Sequence, residues 1–127
     1  MIRILLVAAG GALGAVARYG VGRILPGGGW PHATLTVNVV GGLLMGLLAG
    51  WLAFRGGVEQ ESVRLFAAVG VLGGFTTFSA FSLETAQMIE RGRLGPAAAY
   101  VGLSVVLSVA ALFVGLMIAR RAFGAAL

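Results

Sequence analysis

The chain has 127 residues, of which 59% are hydrophobic and 10% are charged, with a formal net charge of +5. A soluble protein of this length cannot bury so much apolar surface, so the composition predicts an all-α integral membrane protein. The absence of cysteine excludes disulfide and thiol chemistry, and the single histidine, His32, excludes a multi-histidine metal site. The basic residues are all arginines near the ends of apolar runs, which favours anchoring at lipid headgroups over nucleic-acid binding.

Four apolar segments are long enough to cross a bilayer as helices. They cover roughly residues 4–21, 35–54, 64–89 and 97–119. The first segment looks like a signal peptide at its start, but its apolar run continues past Ala17, so we interpret it as a retained span. Short loops join the spans, and we expect one four-helix domain over residues 1–127.

Four spans place both termini on one side of the membrane, together with the loop between the second and third spans. The arginines near the span ends are nearly balanced between that side and the other: Arg3, Arg55, Arg64, Arg120 and Arg121 against Arg18, Arg23, Arg91 and Arg93. Because this bias normally orients a membrane protein, the balance favours insertion both ways up and pairing as an antiparallel, dual-topology homodimer. Four short helices are also too few to enclose a pore with a binding site, which favours an oligomer.

The third span contains the segment GVLGGFTTFSAFSLE, residues 70–84, in which helix breakers and hydroxyls interrupt an apolar run. A straight helix over this span would measure about 39 Å, which exceeds a bilayer core of about 30 Å. Glycine and threonine are weak helix formers, so the sequence predicts a mid-membrane break at GGFTT, residues 73–77. Carbonyls freed at such a break suit a hard cation such as Na⁺. Glycines elsewhere at four-residue spacing, such as Gly10 and Gly14, predict close helix packing.

Polar side chains inside the spans each require a partner or a role, because unpaired polar groups are costly in lipid. Asn38 either bridges two helices or presents its N–H groups to an anion. Tyr100, Ser104 and Ser108 share one face of the fourth span and form a ladder of hydroxyls suited to a small ion that is losing its water. Arg18 either reaches back to the interface or concentrates anions at the mouth of a path.

Three phenylalanines, Phe75, Phe78 and Phe81, follow each other at three-residue spacing. Such a stripe either packs or turns its positive ring edges towards an anion. Ser79 lies beside the stripe and adds a hydroxyl donor. Glu84 follows, and it either pairs with an arginine or lies in a wet vestibule.

In these motifs the sequence resembles the CrcB/Fluc family of fluoride channels over nearly its whole length. GALGAVARY (residues 11–19), TLTVNVVGGLLMG (34–46) and GGFTTFSAFSLE (73–84) look like the signatures of its first three spans, and the third is the most specific. The chain departs from the family pattern at Ala33, Leu43 and Ala80, where glycine, phenylalanine and threonine are frequent.

The resemblance implies an antiparallel homodimer with two pores, in which the broken third helices meet. One structural Na⁺, which is not transported, would be held there by the backbone carbonyls of Gly73 and Thr76. The implied function is passive export of fluoride across the cell (inner) membrane, which lowers its toxicity in the cytoplasm. The resemblance implies that Asn38, Phe78 and Phe81 line the fluoride pathway and that Tyr100, Ser104 and Ser108 match the polar track of the family's fourth span. Ser79, chosen from its place beside the phenylalanines, completes the predicted fluoride pathway. The expected vestibule residues are Arg18, Thr34 and Glu84.

The main alternative is a small four-span multidrug or cation exporter. Such a transporter needs a carboxylate within the membrane to couple protons to its substrate, and Glu84 is the one candidate in the third span. A membrane subunit that only packs against partners is a second alternative, and it gives no use to Asn38 or to the hydroxyl ladder. No enzyme is expected, because no nucleophile stands with a base and GALGAV lies inside an apolar helix rather than after a strand.

Overall fold

The computed structural model describes residues 1–25, 29–55 and 57–124, and these residues form helices and turns without any strand. Four helical segments are long and apolar enough to cross a membrane: Ile2–Ile24, His32–Arg55, Glu61–Glu90 and Leu94–Gly124. Each contains the corresponding predicted span, so the prediction of an all-α protein with four membrane-length helices is confirmed. We call the first two helices α1 (Ile2–Ile24) and α2 (His32–Arg55).

The third span is built from several helical pieces. A 3₁₀ turn (Val58–Gln60) leads into α3 (Glu61–Val63), a π-helix (Arg64–Leu72) and α4 (Gly73–Phe75). Residues 76–78 are not helical, and α5 (Ser79–Glu90) follows them. The last helix, α6 (Leu94–Gly124), runs beyond the predicted end of the fourth span. The π-helix, whose N–H groups bond five residues back, was not anticipated from the sequence.

Within the predicted break at residues 73–77, Gly73 and Gly74 remain helical and lie in α4. The regular backbone ends at Thr76, which is extended, with φ −86° and ψ 159°. Thr76 closes the helix through its own groups, since its N–H and its Oγ1 hydroxyl both donate to the Leu72 carbonyl, at 3.1 and 2.9 Å. Glycine permits a break without requiring one, and here the helix continues through both glycines.

Glycines hold α1 against the third span. A side chain at Gly10 would collide with the backbone of Phe66 and Gly70, and one at Gly74 would come within 2.5 Å of the Gly11 carbonyl oxygen. The two backbones are therefore in direct contact, as the four-residue spacing of Gly10 and Gly14 predicts.

A second glycine seam joins α2 to α6, the most extensive contact between helices in the described residues. A side chain at Gly42 would come within 2.7 Å of the Ser108 carbonyl oxygen, and side chains at Gly46 and Gly115 would collide with the facing backbone. Where α5 meets α6, a buried cluster includes Phe81, which is held between the two helices. The other members of this cluster are Met88, Ala97 and Tyr100.

Candidate functional site

The interrupted segment at residues 76–78 is held by the side chain of Asn38 on α2. The amide Nδ2 of Asn38 donates to the Thr77 carbonyl at 3.0 Å, and the Thr77 N–H donates to Asn38 Oδ1 at 2.9 Å. These two bonds replace the helical partners that Thr77 would have in a continuous helix. Asn38 therefore bridges two helices, as one of its two interpretations predicts, and one of its amide hydrogens stays available for another acceptor.

Arg18 on α1 contacts the same segment from the other side. Its Nε–H donates to the Gly74 carbonyl at 3.2 Å, and the residue is half-buried. Gly74 belongs to the last turn of α4, whose carbonyls carry the negative end of the helix dipole, so a guanidinium is favourable there. The Nε–H group of Arg18 thus points inward to the helix end rather than out to the interface.

Side chains satisfy two of the five carbonyls from Gly73 to Thr77, those of Gly74 and Thr77. The carbonyls of Gly73, Phe75 and Thr76 accept no hydrogen bond identified between described residues. Gly73 is exposed, and a side chain built on it would meet only the Ala68 carbonyl oxygen, at 3.7 Å. The two carbonyls predicted to bind Na⁺ are therefore among those that stay free, and the described residues hold no cluster of acidic, histidine or cysteine ligands for a metal ion.

A groove of about 430 Å³ runs beside the interrupted segment and is lined by residues of that segment and of α2, α5 and α6. Among the predicted pathway residues it brings together Asn38, Phe78, Phe81, Ser104 and Ser108, with Thr76 and Thr77 at the interruption. The Oγ atoms of Ser104 and Ser108 are buried and have no hydrogen-bond partner among the described residues. None of the described residues that line the groove is charged.

Tyr100 and Ser79 lie outside this groove. Tyr100 is fully buried, its hydroxyl donates to Glu84 Oε1 at 3.2 Å, and its ring contacts that of Phe81 with centroids 5.1 Å apart. The Ser79 hydroxyl lies 3.2 Å from Thr77 Oγ1, beside the interruption. Of the three hydroxyls aligned on α6, those of Ser104 and Ser108 therefore lie in the groove, and that of Tyr100 faces α5.

The predicted vestibule residues fall into two separate cavities. Arg18 and Thr34 line a cavity of about 310 Å³, which shares Thr77 with the groove. Glu84 instead lines a cavity of about 160 Å³ with Arg91 and Arg93. Glu84 forms no ion pair with them, since the single salt bridge among the described residues joins Arg64 to Glu61.

Thr77 is the site residue that reasoning from the sequence missed. It lines both the groove and the cavity of Arg18, and its hydroxyl accepts the N–H of Ala80 at 3.1 Å at the start of α5. The two adjacent threonines in GGFTT could have predicted this role, because a threonine hydroxyl often caps the N-terminus of the helix that follows it.

Comparison with known proteins accords with the motifs. Residues 5–116 match the family model described as "CrcB-like protein, Camphor Resistance (CrcB)". A protein of Caulobacter sp. (strain K31) is 63% identical over 97% of this chain and 98% of its own length. One of Phenylobacterium zucineum (strain HLK1) is 61% identical over 97% of this chain and 99% of its own. Both relatives are named "Fluoride-specific ion channel FluC". The resemblance is thereby confirmed, and the chain, a multi-pass membrane protein, belongs to the CrcB/Fluc family.

Proposed function

We propose that the chain is a fluoride-specific ion channel that lets fluoride leave the cell passively across the cell membrane. The observation that carries this proposal is the groove beside the interrupted segment, which brings together the Asn38 amide and the hydroxyls of Ser104 and Ser108, both without a partner among the described residues. Relatives more than 60% identical to the chain are named as fluoride-specific ion channels. Lowering of fluoride toxicity in the cytoplasm follows from such export.

The lining of the groove matches what a small, strongly hydrated anion needs. Hydroxyl and amide hydrogens from Asn38, Ser104 and Ser108 replace water around the ion, and the ring edges of Phe78 and Phe81 add weaker positive poles. No charged residue lines the groove, so the ion is not trapped there. Arg18, in the adjoining cavity, places a positive charge next to the entrance and raises the local concentration of anions.

We further propose that the interruption at residues 76–78 lies at mid-membrane and meets its copy in an antiparallel, dual-topology homodimer. The free carbonyls of Gly73 and Thr76 are ligands of the type that a hard cation prefers, so these residues fit a structural Na⁺ shared by two copies. The bound ion would neutralise the carbonyl dipoles where the two segments approach. Phe78 supports the dimer, because 78% of its surface is exposed in the single chain.

The exporter alternative is not favoured. Its coupling carboxylate would be Glu84, but that side chain accepts a hydrogen bond from Tyr100 and lines a different cavity from the groove. Without a carboxylate in the groove, flux has no means of coupling to protons.

The test is efflux from liposomes that hold the purified full-length protein, measured with a fluoride electrode, with chloride efflux measured in parallel. We expect rapid fluoride loss without chloride loss. A double variant, Ser104→Ala with Ser108→Ala, removes two donors from the groove and should slow fluoride efflux. Absence of fluoride efflux from folded wild-type protein would refute the proposed function.

Topology is tested separately by a tag at the C-terminus whose accessibility is probed from each side of the membrane. Protection of about half of the tags from a probe applied on one side is the expected result for dual insertion. Complete accessibility from one side alone would refute the antiparallel dimer while leaving the channel function to the efflux experiment.

A further inference from the structure

The segment from Gly73 to Thr77 is shaped by two side chains that reach it from different helices. Asn38 on α2 binds both backbone groups of Thr77, and Arg18 on α1 binds the carbonyl of Gly74. The carbonyls between and beside these two anchors, at Gly73 and Thr76, stay without partners in the described residues. The two anchors thus decide which carbonyls of the interrupted segment remain available.

We propose that Arg18 is a positioning residue that caps α4, and that its Nε–H bond to Gly74, more than its charge, orients the free carbonyls of Gly73 and Thr76. A peptide group is planar, so the Arg18 bond fixes the plane that joins Gly74 to Phe75, and the Asn38 bond to the Thr77 N–H fixes the plane that carries the Thr76 carbonyl. With the Arg18 bond in place, the Gly73 carbonyl can turn only about the two dihedrals of Gly74, and the chain between the two fixed planes keeps only the dihedrals of Phe75 and Thr76. Arg18 is half-buried and lines a cavity that Thr77 also lines, and its bond to Gly74 joins α1 to the end of the helix that precedes the interruption. The consequence for Na⁺ rests on the proposed function, whereas the consequence for backbone order does not.

Two substitutions separate the cap from the charge. The amide nitrogen of glutamine is the same number of bonds from Cα as Nε of arginine, so Arg18→Gln keeps a donor at that place and removes the charge. Arg18→Lys does the reverse, because a methylene takes the place of Nε while a positive charge is kept at the tip. Arg23, which lines the same cavity but bonds no carbonyl among the described residues, provides the controls Arg23→Gln and Arg23→Lys.

The first measurement is hydrogen–deuterium exchange of the full-length protein in detergent, for peptides that cover residues 72–80. The Thr76 and Thr77 N–H groups report on the interruption, because they are bonded to Leu72 and Asn38. Arg18→Lys should accelerate their exchange roughly tenfold, the upper end of what the loss of one ordinary hydrogen bond costs. Arg18→Gln and both Arg23 variants should exchange like the wild type.

The second measurement is the Na⁺ concentration that gives half-maximal fluoride efflux from liposomes. It should rise about tenfold in Arg18→Lys and stay at the wild-type value in Arg18→Gln. Maximal flux is not compared, since removing a positive charge at the entrance lowers the anion supply whether or not Arg18 is a cap.

The opposite pattern would be a changed exchange rate and Na⁺ requirement in Arg18→Gln, with wild-type values of both in Arg18→Lys. It would show that Arg18 acts through its charge and would overturn the proposal. Equal impairment of both variants would overturn it too, because glutamine retains the donor. If Arg18→Lys fails to fold, exchange in Arg18→Gln tests the proposal by itself. Faster exchange than the wild type at residues 72–80 in Arg18→Gln would contradict a capping role, because glutamine retains the donor. If the wild type carries no fluoride, the channel proposal fails, and the exchange measurement still decides the role of Arg18.

Discussion

Asn38 and Thr77 form a closed pair, in which the amide of one residue satisfies both backbone groups of the other across 39 positions of sequence. This arrangement gives one side chain two tasks. It orders the interrupted segment, and it lines the groove with one amide hydrogen that Thr77 does not use.

Asn38→Ala removes both hydrogen bonds and leaves the Thr77 N–H without its partner. At about 1 kcal/mol for each bond, we expect a loss of about 2 kcal/mol in stability. Fluoride efflux should slow at the same time, because the amide donor has gone from the groove. Thermal unfolding in detergent and liposome efflux measure the two effects, and size-exclusion chromatography checks the proposed dimer. Val40→Ala, on the exposed face of the same helix, is the control, and wild-type efflux from Asn38→Ala would contradict a pathway role.

Phe78→Ile and Phe81→Ile should differ, although the two rings lie 5.5 Å apart between centroids. Phe81 is 9% exposed and packs on Tyr100, so a change of shape there should cost roughly 1–3 kcal/mol in stability. Phe78 is 78% exposed within the single chain, so its replacement should leave the fold of each subunit intact and slow fluoride efflux. We therefore expect a lower unfolding temperature in Phe81→Ile, and slower efflux at an unchanged unfolding temperature in Phe78→Ile. Unchanged efflux from Phe78→Ile would remove Phe78 from the pathway.

Gly73→Val and Gly74→Ala test the neighbouring glycines of α4 against each other. A side chain at Gly74 would meet the Gly11 carbonyl oxygen at 2.5 Å, so Gly74→Ala should separate α1 from α4 and destabilise the subunit. Among the described residues, the nearest atom that a side chain at Gly73 would meet is the Ala68 carbonyl oxygen, at 3.7 Å. Gly73→Val should therefore preserve the helical content of the subunit, which circular dichroism measures. It should abolish the proposed dimer and the dependence of that dimer on Na⁺. A normal Gly73→Val dimer with wild-type Na⁺ dependence would contradict the proposed central site.

The double variant Ser104→Ala and Ser108→Ala should be at least as stable as the wild type. The two hydroxyls are buried without partners in the described residues, so their removal relieves a desolvation cost instead of breaking bonds. Fluoride efflux should nevertheless fall, because the groove loses two donors. Ser82→Ala, whose exposed hydroxyl bonds the Phe78 carbonyl, is the control for loss of a serine near the same segment. A marked loss of stability in the double variant would show that the hydroxyls are structural.

The sequence allowed the four spans to be predicted because apolar length decides membrane crossing and needs no tertiary information. Hydroxyl spacing likewise predicted that Ser104 and Ser108 share a face of α6, and both line the groove. Glycine spacing indicated close packing at Gly10 and Gly14, which the contacts with the third span explain.

The interruption itself was harder to place, since its position depends on partners far away in sequence. Thr76 closes α4 through its own side chain, and Asn38 accepts the Thr77 N–H that would otherwise continue the helix. Arg18 and Gly74 are 56 positions apart, and no local pattern relates them. The π-helix also escaped prediction, because residues 64–72 contain no residue type that distinguishes five-residue from four-residue hydrogen bonding.

The two glycine seams divide the subunit into two tightly joined helix pairs, α1 with the third span and α2 with α6, and contacts between the pairs are fewer. Backbone lies against backbone in each seam, so neither pair can widen without losing its own packing. The width of the groove is consequently set by how one pair rests on the other, at Asn38 and Thr77. Tolerance to substitution should follow this division. Side chains added in the seams would prevent folding, whereas changes along the junction of the pairs would yield folded proteins with altered permeation.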